Sequence, residues 1–311
     1  MAVAEIYHTH LPVLLHEAVD NLITDPDGIY IDATFGRGSH SRAILEKLSP
    51  RGQLLAFDQD KDAIDYAHSK MQDKRFYIYH TSFTHIAAVV SDLAYNQQIS
   101  GILFDLGVSS PQLDNPQRGF SFSKNAPLDM RMDTTRGITA GDWINSISEK
   151  DLAEVLWQYG EERFSRRIAK AIITQRQLKP ISTTVELAEL IKANIPGAEK
   201  YDRHPATRSF QAIRIAVNDE LNALRQGLQA ALDCLKITGR LAVISFHSLE
   251  DRIVKQFLQM QAKGPELPRG LPIQSSFQPK IALLGKIKPS QRELQINPRA
   301  RSAILRLAEK R

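Results

Sequence analysis

Short apolar runs alternate with helical periodicities through the first third of the chain. Residues 28–34 (GIYIDAT) read as a buried strand ending at a glycine-rich turn. A helix is predicted from Ser39 to Leu48, with Arg42, Glu46 and Lys47 on its wet face. Residues 53–57 (QLLAF) form the next strand, and Asp60 caps a helix running to Met71. Further strands are expected at Phe76–Tyr79 and Gly101–Leu106. Strands separated by helices of this length imply a parallel sheet with right-handed crossovers, so the fold class is α/β.

That rhythm stops after the fourth strand. Between Pro116 and His204 no good strand is visible, while several helical patterns are; the clearest spans Glu161–Gln177, with Phe164, Ile168 and Ile172 at fourfold spacing. Strand character returns at residues 239–246 (GRLAVISF), after a long helix expected around Phe210–Leu235. The pattern therefore predicts a sheet domain in two parts, 1–115 and 205–311, interrupted by a helical domain over 116–204. Lys263–Ser290, rich in Pro, Gly and Gln, reads as a loop, and Arg301–Ala308 as a final edge strand.

Composition narrows this picture. The 311 residues are 42% hydrophobic and 24% charged, ordinary values for a globular chain with a sizeable core. No apolar run is long enough to cross a bilayer, and the first residues carry no secretory pattern, so a cytoplasmic location is expected. A single cysteine, Cys234, excludes an internal disulfide framework; with the histidines scattered, no metal site is expected. Net charge is +5, unevenly spread: Lys263–Arg311 holds eleven Lys/Arg against three Asp/Glu. Such a basic end suits a polyanion, and equally a solvated surface.

Candidate chemistry gathers at the strand ends. In IDATFGRGSHS, Gly36 and Gly38 permit a tight turn and close approach of a ligand at a helix N-terminus. Ser41 stands where a dinucleotide fingerprint has its third glycine, which favours S-adenosylmethionine, a cofactor without phosphate, over NAD. Asp58, ending the second strand, is placed to accept ribose hydroxyls, and Asp105, ending the fourth, to hold an ammonium or orient an acceptor. A helix cap or loop brace is the alternative for each aspartate.

Longer blocks then make the chain recognisable. HLPVLLHEAV from His10, DATFGRGSHS from Asp32, DLGVSSPQLD from Asp105, RGFSF from Arg118, PLDMRMD from Pro127 and YGEERF from Tyr159 are joined by HPATRSFQAIRIAVNDEL from His204, ISFHSLEDRIVK from Ile244 and NPRARSAILR from Asn297. Over nearly its whole length the chain resembles the bacterial 16S ribosomal RNA cytosine-N4 methyltransferases, the small-subunit methyltransferase H family. The resemblance implies a Rossmann-like S-adenosylmethionine-dependent methyltransferase sheet with an inserted all-helical domain for substrate recognition. It also implies methylation of a cytidine N4 amine in 16S ribosomal RNA, within the small subunit. Cofactor contacts implied by the family fall on Gly38, Ser39, His40, Asp58, Phe83, Asp105 and Gln112, beside Gly36. The family usually has glycine where this chain has Ser39.

Amino-methyltransferases acting on DNA often carry an Asp/Asn/Ser-Pro-Pro-aromatic motif after the fourth strand; DLGVSSP stands there instead. Asp105, Ser109 and Ser110 are the candidates to accept a proton from the amine, the serines doubling as turn residues. His247 reads as a general base or a hydrogen-bonded structural residue. For RNA phosphates, the predicted helix from Glu161 offers Arg163, Arg166, Arg167 and Lys170, the following block Arg208, and the basic end Lys286, Lys288, Arg299, Arg301 and Arg306. A DNA amino-methyltransferase and a non-catalytic RNA-binding assembly factor are the competing readings.

Overall fold

The computed structural model describes residues 12–197, 199, 204–264 and 277–311. The chain start and residues 265–276 of the expected loop lie outside the described residues. The chain divides into two compact units, residues 1–107 with 221–311, and residues 108–220.

The first unit is a seven-stranded sheet. Its strands are β1 (Ile29–Asp32), β2 (Gln53–Asp58), β3 (Phe76–His80), β4 (Ile99–Asp105), β5 (Leu235–Ser245), β6 (Ile281–Ile287) and β7 (Ile304–Lys310), in the order β3-β2-β1-β4-β5-β7-β6. Strands β1–β5 pair in parallel, and β7 runs antiparallel to both β5 and β6. Helices α1 (Leu15–Leu22), α2 (Ser39–Lys47), α3 (Lys61–Lys70) and α4 (Ile86–Asp92) alternate with the early strands. The apolar sides of α1 and α2 join Tyr30, Leu54, Leu103, Ile244 and Leu305 in one core, which is why these strands read as continuous apolar runs. Asp60 caps α3 by accepting from the Asp62 N–H. The chain lays β2 and β3 on one side of β1 and β4 and β5 on the other, so the carboxyl ends of β1 and β4 splay apart at a topological switch point.

The second unit is helical: α5 (Ser110–Asp114), α6 (Ala140–Ser146), α7 (Glu149–Gly160), α8 (Ser165–Leu178), α9 (Thr184–Ala193) and α10 (Thr207–Val217). Leu152, Leu156, Ile168, Ile172, Leu187 and Ile213 meet in its core, with α7 packed against α8 and α10. RGFSF and PLDMRMD belong to the frame of this unit. Arg118 donates through Nη2 to the carbonyls of Arg131 and Met132, and Asn218 bonds the Met130 carbonyl and the Met132 N–H. Between these clamps Met130 is held at φ 59°. The chain returns to the sheet through α11 (Glu220–Cys234), which is followed by α12 (Ser248–Lys263) and α13 (Gln291–Ile296). Among the described residues no helix is long and apolar enough to cross a membrane.

Three sequence expectations are corrected. The helix expected from Glu161 begins at Ser165, because Glu161 sits at φ 49° and terminates α7 with its N–H on the Leu156 carbonyl; Arg163 therefore lies before the helix. The single helix expected over 210–235 is two, broken where Asp219 takes φ 49° and the Asn218 side chain bonds the Arg214 carbonyl. Finally, Ile281–Ile287, read as loop, is the sheet edge β6, and β7 is an inner strand beside it. Gly285 and a register shift in β6 break the alternation that marks a strand.

Candidate functional site

The turn from β1 into α2 is built around two left-handed glycines. Gly36 has φ 56° and Gly38, immediately before α2, φ 70°. A Cβ on Gly38 would meet the Phe35 ring at 2.5 Å, so the turn needs glycine there for conformation and for space. Ser39 follows, half-buried, as the first residue of α2, and His40 is buried. Ser41 has a use that its reading as a relaxed glycine did not anticipate. It is wholly buried and donates its hydroxyl to Asp32 Oδ2 at 2.6 Å, tying α2 to the end of β1.

Asp32 is the residue that sequence reasoning missed. Its other carboxylate oxygen accepts from the Thr34 N–H, and the Thr34 hydroxyl oxygen accepts from the Asp105 N–H at 2.7 Å. The ends of β1 and β4 are thus stitched together by side chains as well as by the ladder. The available signal was the Asp at a strand end with a serine one helical turn into the next helix.

Asp58 ends β2 and turns back to the glycine turn. Its Oδ2 accepts from Gly36 N–H at 2.7 Å and its Oδ1 from Asp60 N–H at 2.8 Å. Each oxygen keeps further lone-pair capacity. Burial pushes the Asp58 pKa up to about 6 against these two bonds. Asp32 is likewise pushed up to about 6 by burial. Asp105 is shifted further, to about 8, by burial together with the negative charges of Asp32 and Glu250. Its Oδ1 is buried with no hydrogen-bond partner among the described residues, and its Oδ2 lies 3.6 Å from His40 Nδ1. Phe83, half-buried, packs edge-on against Phe104 of β4 and against Gly227, where a Cβ would meet its ring at 2.6 Å.

The first unit therefore carries Gly36, Gly38, Ser39, His40, Asp58, Phe83 and Asp105 at or beside the carboxyl ends of β1, β2, β3 and β4. Ser109, Ser110 and Gln112 belong to the second unit. Ser109 and Gln112 form a capping box at the start of α5, Gln112 Oε1 accepting from the Ser109 N–H at 2.8 Å. His247 caps α12, pairing with the buried Glu250.

Of the expected phosphate contacts, Arg163, Arg166, Arg167, Lys170 and Arg208 are exposed on the second unit, with Arg208 donating to the Glu161 carbonyl. Lys286, Lys288, Arg299 and Arg301 are exposed on the first. Arg306 is a correction: its guanidinium is committed to a two-point ion pair with Asp251, at 2.7 and 2.9 Å, joining β7 to α12.

A mostly parallel sheet with a glycine turn and three carboxylates at its switch point defines an α/β enzyme that holds a nucleoside-bearing cofactor beyond its strand ends. Residues 7–311 match the MraW methylase family, and the chain belongs to that family: it is a methyltransferase. It is 54% identical over 301 residues to the ribosomal RNA small subunit methyltransferase H of Methylococcus capsulatus, covering 96% of this chain and 99% of that one. Its identity to the protein of the same name from Idiomarina loihiensis is 52% over 305 residues, 97% and 96% of the two chains. An rRNA methylase structure from Streptococcus thermophilus aligns with 97% of this chain and 98% of its own, at 14% identity and a TM-score of 0.44.

Proposed function

We propose that the protein methylates the N4 amine of a cytidine in 16S ribosomal RNA of the small subunit, in the cytoplasm, using S-adenosylmethionine. The observation that carries the reaction is Asp105: a carboxyl group at the end of β4 whose buried Oδ1 has no partner among the described residues. The donor set around it suits the cofactor. The cradle at Gly38 is closed to any side chain, and one buried and two half-buried carboxylates, Asp32, Asp58 and Asp105, complement a ligand bearing a sulfonium, an ammonium and ribose hydroxyls.

Asp58 holds the ribose hydroxyls with the lone pairs left by Gly36 and Asp60, and Phe83 faces the adenine. Gly36, Gly38, Ser39 and His40 line the turn, Ser39 through its main chain, and Gln112 adds a polar contact. When bound, S-adenosylmethionine supplies an electrophilic methyl group on a sulfonium. A cytosine amine is a poor nucleophile because its lone pair is delocalised into the ring. Asp105 Oδ1 accepts the amine proton, which leaves the nitrogen lone pair free to attack. With its pKa raised to about 8, Asp105 accepts the proton in its ionised form, whose share grows as pH rises toward that value. Ser109 and Ser110 are the other candidates on the following segment; Ser109 already serves the cap of α5.

Arg163, Arg166, Arg167, Lys170, Arg208, Arg299 and Arg301 supply phosphate contacts, and the target base is read unstacked. The test compares wild-type, Asp105→Ala and Ser109→Ala/Ser110→Ala proteins on small subunits, naked 16S RNA and duplex DNA with methyl-labelled cofactor. Label on RNA, lost in Asp105→Ala and kept in the serine variant, is expected. Full turnover by Asp105→Ala, or label on DNA alone, overturns the reading.

A further inference from the structure

The connection between β6 and β7 carries cations that the sheet register places near Asp105. Asp105 pairs with Ile244 of β5, Ile244 with Leu305 of β7, and Leu305 with Ile287 of β6. One row of the sheet therefore runs from Asp105 to the end of β6 across three strand spacings, a distance of about 14 Å. Lys286 and Lys288 flank Ile287 on this row. Beyond it, α13 carries Arg292, and the turn Pro298–Ser302 that leads into β7 carries Arg301. All four residues thus belong to the rim of the sheet on which Asp105 lies.

Each of the four is exposed, and none has an ion pair or a side-chain hydrogen bond among the described residues. Residues 286–303 hold five Lys/Arg against Glu293 alone. Glu293 is already engaged, its Oε1 accepting from the Leu14 N–H at 2.8 Å. Asp251 is held at both oxygens by Arg306, which stands opposite Lys286 on the β6–β7 ladder. Lysines on an edge strand also guard it against pairing with another chain. Arg292 and Arg301 lie outside the strand, so guarding the edge does not account for the group. We propose that this rim is a phosphate track for the RNA strand flanking the target cytidine. The proposal rests on the reading of ribosomal RNA as the substrate. A stacked strand advances about 3.4 Å per nucleotide, which places the track about four nucleotides from the base that reaches Asp105. Contacts of this kind fix register without reading sequence. They hold the neighbours of the target in place while its own base leaves the stack.

The test compares two fourfold variants. The rim variant combines Lys286→Gln, Lys288→Gln, Arg292→Gln and Arg301→Gln. Its control combines Lys70→Gln, Lys74→Gln, Lys263→Gln and Lys280→Gln, removing the same charge at the opposite end of the sheet, where α3 and α12 end and β3 and β6 begin. The rim variant is expected to bind small subunits about tenfold or more weakly near ~0.1 M salt, with a salt slope lower by about 3, or about 0.7 per phosphate contact. KM for subunits rises with it, while kcat and the cofactor KM stay within about twofold, as do all values in the control. In a second measurement Lys288→Cys is tagged with an azidophenyl cross-linker; the native Cys234 is buried and escapes the reagent. Irradiation on small subunits should join it to RNA within about five nucleotides of the methyl-labelled cytidine. Equal weakening by the two variants, an unchanged salt slope in the rim variant, or cross-links confined to distant RNA or to a protein of the subunit overturns the proposal. Absence of label on RNA with the wild-type protein removes the substrate reading itself, and the track with it.

Discussion

Replacing Gly38 by alanine strikes the cofactor turn at its narrowest point. Two separate costs follow from the geometry. The backbone at φ 70° is one that an L-residue with a Cβ adopts at a cost of about 1–2 kcal/mol. The new methyl would also stand 2.5 Å from the Phe35 ring, which is 3% exposed and packed against Phe76 with Ala56, Ala63 and Ala67 around it. Displacing a ring in such a core adds about 1–3 kcal/mol. Gly38→Ala is therefore expected to lower unfolding stability by about 2–5 kcal/mol and to weaken S-adenosylmethionine binding at least tenfold, because Phe35 and the α2 N-terminus shift together. Gly137→Ala is the control. Its φ of 75° is similar, but nothing lies within 4 Å of the added Cβ, so only the backbone cost of about 1–2 kcal/mol applies and cofactor affinity is kept. Urea unfolding gives the stabilities and calorimetric titration the affinities. Equal destabilisation by the two substitutions, or full cofactor affinity in Gly38→Ala, would refute the argument that this turn is closed to a side chain.

Two further outcomes follow from the charges. Asp105 folds with its pKa raised from 3.8 to about 8, so between those values the native chain holds a proton that the unfolded chain has released, and stability falls as pH rises. Urea midpoints of the ligand-free protein between pH 4 and 8 should drop less steeply in Asp105→Asn than in wild type; parallel curves contradict the assigned shift. Arg306→Met should destabilise the fold by about 2–3 kcal/mol by leaving Asp251 unpaired, while leaving the salt dependence of RNA binding unchanged. Arg167→Ala should do the reverse, keeping stability and lowering the salt slope by about one. A filter-binding series over salt concentration separates them, and a reduced slope in Arg306→Met would return that residue to the RNA interface.

Much of the sheet was legible because β1, β2 and β4 are covered on both faces, which leaves unbroken apolar runs bounded by turn residues. Asp58 and Asp105 could be placed from the same runs, since they are the polar residues on which those runs end. β6 was hidden for the opposite reason: it is an exposed edge, interrupted by Gly285 and flanked by Pro279 and Pro289, so its composition is that of a loop. The breaks at Glu161 and Asp219 escaped because each depends on a single non-glycine residue held in the left-handed region by its surroundings, and helical periodicity carries straight across both. The roles of Ser41 and Arg306 are pair properties. Neither a hydroxyl on Asp32 nor a guanidinium on Asp251 is marked by spacing along the chain. Ser109 and Gln112 stood in the sequence as candidate chemistry, and in the structure they form a helix cap that the S-x-x-Q spacing already allowed.

The central claim, methylation of a cytidine amine in small-subunit RNA, is tested most directly by nucleoside mass spectrometry. Small subunits from a strain lacking the enzyme are incubated with the protein and methyl-labelled S-adenosylmethionine, and the 16S RNA is digested to nucleosides. One new labelled species, N4-methylcytidine, absent with Asp105→Ala, is the predicted result. Label on another base or another cytidine position, or none on 16S RNA, would contradict it.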